Sequence, residues 1–231
     1  MKRALLFALP LFVAAQFGGA ATVLAKPVAF VIDPNHSRAT FSIRHIFSKV
    51  PGSFTRLQGT LTFDVDAPTV SSVRAEIDAS SIDTANSRRD ADLRSDNFFD
   101  VEKYPTLTFV SGKVKDLGQG KLEVAGDLTM HGVTKPVTLA ASYLGSGPGP
   151  DGVLHAGFEG TTRIDRKEFG IVWNRTLDQG GTLLGDDVDV RLDIEAIVQP
   201  PAVDKAAGGA SASKATEKKS PEVAPAGKPS K

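Results

Sequence analysis

The sequence predicts an all-β domain: a closed, eight-stranded, antiparallel up-and-down barrel with one short helix between its third and fourth strands. Three observations predict it. Apolar and polar residues alternate with period two over eight separate stretches, turn residues punctuate them, and no long amphipathic helix is available to cover an oily sheet face.

The alternation identifies the strands in order. Ala39, Phe41 and Ile43 interleave with Thr40, Ser42 and Arg44. Leu57, Gly59, Leu61, Phe63 and Val65 form the second apolar set, and Val73, Ala75, Ile77 and Ala79 the third. Leu107 and Phe109 mark the fourth strand; Leu122, Val124, Gly126 and Leu128 the fifth; Val137, Leu139, Ala141 and Tyr143 the sixth. Leu154, Ala156, Phe158, Gly160, Thr162 and Ile164 give the seventh, and Val188, Val190, Leu192, Ile194 and Ala196 the eighth. Turns are signalled at Ala67-Pro68, Gly118-Gln119-Gly120, His131-Gly132 and the Gly/Pro-rich segment 145–152. Residues 86–97 (NSRRDADLRSDN) break the period and read as the helix, with Asn86 as its cap. Residues 165–186 form a second long excursion carrying Phe169, Ile171 and Trp173.

A sheet with one oily face must close on itself or fold into two layers. Long strands joined by short turns favour the barrel, and the sandwich is its alternative.

The chain's ends are of different composition. Lys2, Arg3, the apolar run Ala4–Ala15 and the small-x-small cleavage site Val23-Leu24-Ala25 predict a secretory signal over 1–25, with a periplasmic or secreted mature protein. The alternative, a membrane anchor, needs roughly 20 apolar residues. Residues 199–231 hold Ala, Lys, Pro, Gly and Ser with almost nothing large and apolar, and predict a disordered tail. The leader carries +2 and the tail +3, so a chain of formal net charge zero leaves −5 for residues 26–198. A mildly acidic domain is a poor nucleic-acid binder. With no cysteine, disulfides, thiol nucleophiles and thiolate metal sites are excluded.

An eight-stranded barrel is just wide enough to be filled by side chains or to hold one small ligand. The inward set is rich in small residues (Ala39, Gly59, Ala75, Ala79, Gly126, Ala141, Ala156, Gly160, Ala196) set among Phe41, Phe63, Phe109 and Phe158. That mixture points to an apolar cavity. A solid barrel with small residues tuned to its taper is the alternative. The expected lining is Phe41, Ile43, Phe54, Leu61, Phe63, Ile77 and Phe98, with Phe109, Leu128, Leu139, Ala156, Phe158 and Trp173. Phe47, Phe54, Phe169 and Trp173 are candidates for the rim of its entrance.

Residues 30–200 resemble the YceI-like family, the polyisoprenoid-binding proteins of bacteria. The segments that carry the resemblance are Asp33 to Ser37 (DPNHS), Phe41 to His45 (FSIRH), Pro51 to Phe54 (PGSF), Leu93 to Pro105 (LRSDNFFDVEKYP), Gly126 to Val137 (GDLTMHGVTKPV), Arg166 to Gly170 (RKEFG) and Gly185 to Val188 (GDDV). The resemblance implies a lipocalin-like barrel, a bound isoprenoid or similar long-chain amphiphile, no other cofactor and no established catalysis. The tail and the 145–152 hairpin depart from the family pattern.

Among polar residues, His45 falls on the apolar parity, and Arg94 lies on a helix expected to cap one barrel end. Both are candidates for a lipid headgroup, against backbone-satisfied and solvated alternatives. Asp186, Asp187 and Asp189 lack the Gly turn and distal Glu of an EF-hand, so no metal site is assigned. The sequence has no G-x-S-x-G and no Gly-rich phosphate loop. Three readings follow: a lipid carrier or store; an interaction module with transient membrane contact or a redox partner; and an enzyme acting on an isoprenoid or quinone head.

Overall fold

The computed structural model describes residues 26–198; the expected leader and tail lie outside them. The strands are β1 (Val28–Ile32), β2 (Arg38–His45), β3 (Ser48–Phe54), β4 (Leu57–Phe63), β5 (Ser72–Asp78), β6 (Ile82–Asp83), β7 (Thr106–Gly118), β8 (Lys121–Met130), β9 (Val133–Pro148), β10 (Leu154–Asp165) and β11 (Leu184–Val198), with helix α1 at Ser87–Arg94 before β7. Every pairing is antiparallel, and the ring β1-β4-β5-β7-β8-β9-β10-β11 is closed by β1 on β11.

Three of the eight long strands are broken in two, so eleven segments are found where eight were expected. β1 and β2 both run along β11, β3 and β4 lie beside them in turn, and β5 and β6 follow. Each break also shifts the inward parity along the chain, from even at Phe30 and Ile32 to odd at Ala39 and Phe41, and from even at Val50 and Phe54 to odd at Leu57 and Leu61. The first break is built by Asp33, whose carboxylate accepts from the Asn35 amide at 2.9 Å. Ser37 repairs the ladder: its hydroxyl donates to the Glu195 carbonyl and accepts from the Glu195 amide, both at 3.0 Å. The third break is the single 3-10 turn Ala79–Ser81, capped by Asp78. Pro51 in β3 stands opposite Ser42.

The strand ends also differ from expectation. β9 runs on to Pro148 through an irregularity opposite Gly157, so the first half of the Gly/Pro-rich segment, 145–148, is strand. α1 starts where its cap predicts, the Asn86 side chain accepting from the Arg89 amide at 3.0 Å, but it ends at Arg94 and hands over to turns.

The core has two poles. One gathers Phe30, Ile32, Leu57, Leu61, Phe63, Val114, Leu122 and Val124. The other gathers Phe54, Ile82, Phe98, Leu107, Met130, Phe169 and Ile171 at the end where α1 and the 166–183 excursion cross the barrel.

Candidate functional site

Between the poles lies a cavity of about 430 Å³. Its wall is almost wholly hydrocarbon. Phe41, Ile43, Phe54, Leu61, Phe63, Ile77, Phe98, Phe109, Leu128, Leu139, Phe158 and Trp173 all line it, as do Val188, Val190, Leu192 and Ile194 of β11. Phe41, Ile43, Phe109, Leu128, Leu139 and Phe158 are only partly buried although they point inward. Interiors pack near crystal density, so inward side chains left part-exposed mark unfilled space.

Aromatic clusters bound the cavity at both poles. Phe63 and Phe158 sit edge to face at 5.0 Å between ring centroids, and Tyr143 backs both at 4.8 and 5.5 Å. At the helix end, Phe54 meets Phe99 at 5.6 Å and Phe98 meets Trp173 at 5.2 Å. There the lining also includes the exposed Asp92 and the half-buried His45 and Arg89, so the chamber reaches solvent.

The small residues do not all make the room expected of them. A Cβ on Gly59 would stand 2.4 Å from the Arg74 carbonyl oxygen, and one on Gly126 2.4 Å from that of Val110. Those glycines permit close strand approach and leave no void. Ala79 and Ala196 are fully buried in the packed poles. The void is edged instead by Ala39, Ala75, Ala141 and Gly160. Ala156 is a correction to the expected lining: it is 1% exposed, packed in the core beside its strand partner Ala196, and outside the cavity wall.

Arg94 is a second correction. Its Nε donates to the Ser80 carbonyl at 2.7 Å and its Nη2 to the Ile82 carbonyl at 2.6 Å, so it clamps α1 to the turn before β6 and does not line the cavity. His45 does line it. Arg89 and Arg166 line it as well. Arg89 binds the Thr84 hydroxyl and carbonyl. Arg166 is buried and donates to the carbonyls of Gly185, Ile171 and Trp173 at 3.0, 2.7 and 2.8 Å, with Asp186 at 3.3 Å. Burial pushes its guanidinium below the ordinary arginine value, and the Asp186 charge opposes that shift. Arg166 therefore fixes the excursion that carries Trp173. Val50 and Leu93 were also missed as lining; the run Val50, Gly52, Phe54 carried the period-two signal for the first, interrupted by Pro51. Of the expected rim residues, Phe169 is buried and Phe47 is fully exposed.

Of the three acidic residues Asp186, Asp187 and Asp189, Asp186 pairs with Lys167 at 2.9 Å, and Asp189 with Lys49 and Arg163, each at 2.7 Å. Outside the barrel, at the first break, Asp33 holds the His36 ring at 2.6 Å and Glu195 holds that of His155 at 2.7 Å. The Asp33 hydrogen bond raises His36 above its ordinary value, and the Glu195 bond does the same for His155.

A closed antiparallel barrel around a hydrocarbon-lined chamber defines a class of small-molecule-binding β-barrel. The YceI-like domain matches residues 30–196, and the chain belongs to that family. A UPF0312 protein of Vibrio cholerae is 41% identical over 161 residues, covering 66% of this chain and 85% of its own length. BcnA of Burkholderia cenocepacia is similar in structure, with a TM-score of 0.64 at 22% identity over 71% of this chain and 98% of that one. A polyisoprenoid binding domain from Saccharophagus degradans implicated in plant cell wall breakdown has a TM-score of 0.55 at 17% identity, covering 74% and 99%.

Proposed function

We propose that this protein binds an isoprenoid or similar long-chain amphiphile in the barrel, to sequester or carry it, in the periplasm or outside the cell. The observation that carries the reading is the hydrocarbon-lined cavity of about 430 Å³. The family membership and the ligand class of the Saccharophagus degradans domain point the same way. An apolar protein cavity of about 150 Å³ takes up one benzene, so this one has room for roughly 15 to 20 carbons. At about 0.8 kcal/mol per buried CH₂, such a chain gains more than 10 kcal/mol before ordering costs remove a large part.

The hydrogen bonds of Arg89 and Arg94, and three of the four made by Arg166, go to backbone oxygens or the Thr84 hydroxyl. That favours a neutral headgroup, an alcohol or a quinone, held near His45 and solvent, over a buried diphosphate. Organic extraction of purified protein, with mass spectrometry of the extract, tests the reading alongside titration with geranylgeraniol. A co-purifying prenyl lipid and saturable binding are expected; absence of both overturns it. The proposed export is checked by fractionation and by the N-terminal sequence of the mature chain, expected to begin near Lys26.

A further inference from the structure

The connection between β2 and β3 is a two-residue turn, Ile46-Phe47, since His45 pairs directly with Ser48. Such a turn usually carries Gly or Asn, because positive φ is needed there. Here Ile46 takes φ +52°, an outlier for a β-branched side chain. A strained turn at a site where a polar, relaxed one would serve directs attention to what the turn displays. It displays Phe47, 100% exposed.

The turn is fixed in place. The Ile46 amide donates to the Leu183 carbonyl at 2.9 Å, and Arg44 Nη1 to the Ile46 carbonyl at 3.1 Å. Both flanks belong to the cavity: His45 and Leu183 line it at the end where it reaches solvent. Val172, 63% exposed between the lining residues Ile171 and Trp173, adds a second apolar side chain on the segment that crosses this end. Arg44 and Arg175 stand on these two segments, and neither has an acidic partner among the described residues.

We propose that the Ile46-Phe47 turn docks the open end of the barrel on a phospholipid bilayer, inserting Phe47 at the headgroup–acyl boundary so that a chain passes between membrane and cavity. The proposal rests on the ligand class proposed above, because such ligands reside in bilayers. Size argues for a bilayer over a protein partner. An aromatic side chain buries about 150–250 Å², whereas a stable protein interface needs about 800 Å² per partner. One projecting aromatic flanked by cations suits shallow insertion.

The test uses the full mature protein, with vesicles of phosphatidylethanolamine and phosphatidylglycerol carrying geranylgeraniol. Trp173, the single tryptophan of the chain, lines the cavity and reports its filling. Phe47→Ser is expected to slow uptake from vesicles about tenfold or more, with binding of geranylgeraniol from detergent solution unchanged; Phe47→Leu restores most of the rate. Uptake from vesicles at the parent rate in Phe47→Ser overturns the proposal. If the parent protein binds no prenol from either source, the proposed function fails instead. Flotation with prenol-free vesicles then decides docking by itself: Phe47-dependent flotation supports it, and no flotation overturns it.

Discussion

Replacing Gly160 with Phe tests whether the space inside the barrel is where ligand lies. Gly160 is on the cavity wall, and a Cβ there would meet Leu192 Cδ1 at 3.7 Å and the Ala140 carbonyl oxygen at 4.0 Å, ordinary contact distances. The new ring would take about 150 Å³, a third of the 430 Å³ present. It would displace about six ligand carbons. At about 0.8 kcal/mol per methylene that is close to 5 kcal/mol, or more than a thousandfold in affinity as an upper bound. Displaced carbons that find other apolar wall reduce the loss. Geraniol fits in the remaining two-thirds and is expected to bind as before, so the two prenols should separate. The assay is titration of both, followed by Trp173 fluorescence or calorimetry, with thermal melting alongside. The melting temperature should hold or rise, since a glycine in an extended strand gives way to a residue filling apolar space. Parent-level affinity for geranylgeraniol, or a variant that melts many degrees lower, would refute the reasoning.

Ala156→Phe should behave in the opposite way. With no space at a site 1% exposed, overpacking should remove about 1–3 kcal/mol or more in urea unfolding. Arg94→Ala should lower stability by about 1–2 kcal/mol and leave prenol affinity unchanged; a large affinity loss in a folded variant would return Arg94 to the binding site. Arg166→Met strands three carbonyl partners and should cost roughly 3–5 kcal/mol, seen as a lowered urea midpoint. His155 is held above 6.5 chiefly by Glu195, with partial burial opposing and Asp151 assisting. A raised folded-state value means that its stabilisation is complete below 6.5 and is lost as pH rises through the raised value. Melting temperature should therefore fall over that window, His155→Gln should flatten the fall, and NMR titration of the ring should place its midpoint above 6.5.

Period two made the barrel legible because it is a property of each strand alone. Phe41, Phe63, Leu139 and Phe158 could be assigned inward before any pairing was known, and all four line the cavity. What parity cannot show is how far apart facing walls stand. Gly59 and Gly160 carry the same inward reading, yet a Cβ on the first would stand 2.4 Å from the Arg74 carbonyl oxygen, whereas one on the second would meet its neighbours at 3.7 Å or more. Ala156 was misplaced for the same reason. Arg94 was misjudged because its partners are backbone oxygens, and backbone acceptors leave no trace in a pattern of side chains. The breaks at 33–37 and 79–81 escaped because the pieces they cut off, β1 with five residues and β6 with two, are too short for alternation to register.

The ring is sealed by three register pairs between the first strand and the last: Phe30 with Val198, Val31 with Ile197 and Ile32 with Ala196. These partners sit at opposite extremities of the domain, so the hydrocarbon chamber cannot exist until nearly the whole polypeptide has been made. Long-range pairing of this kind is slow to form. A nascent chain therefore stays open and threadable until late in its synthesis.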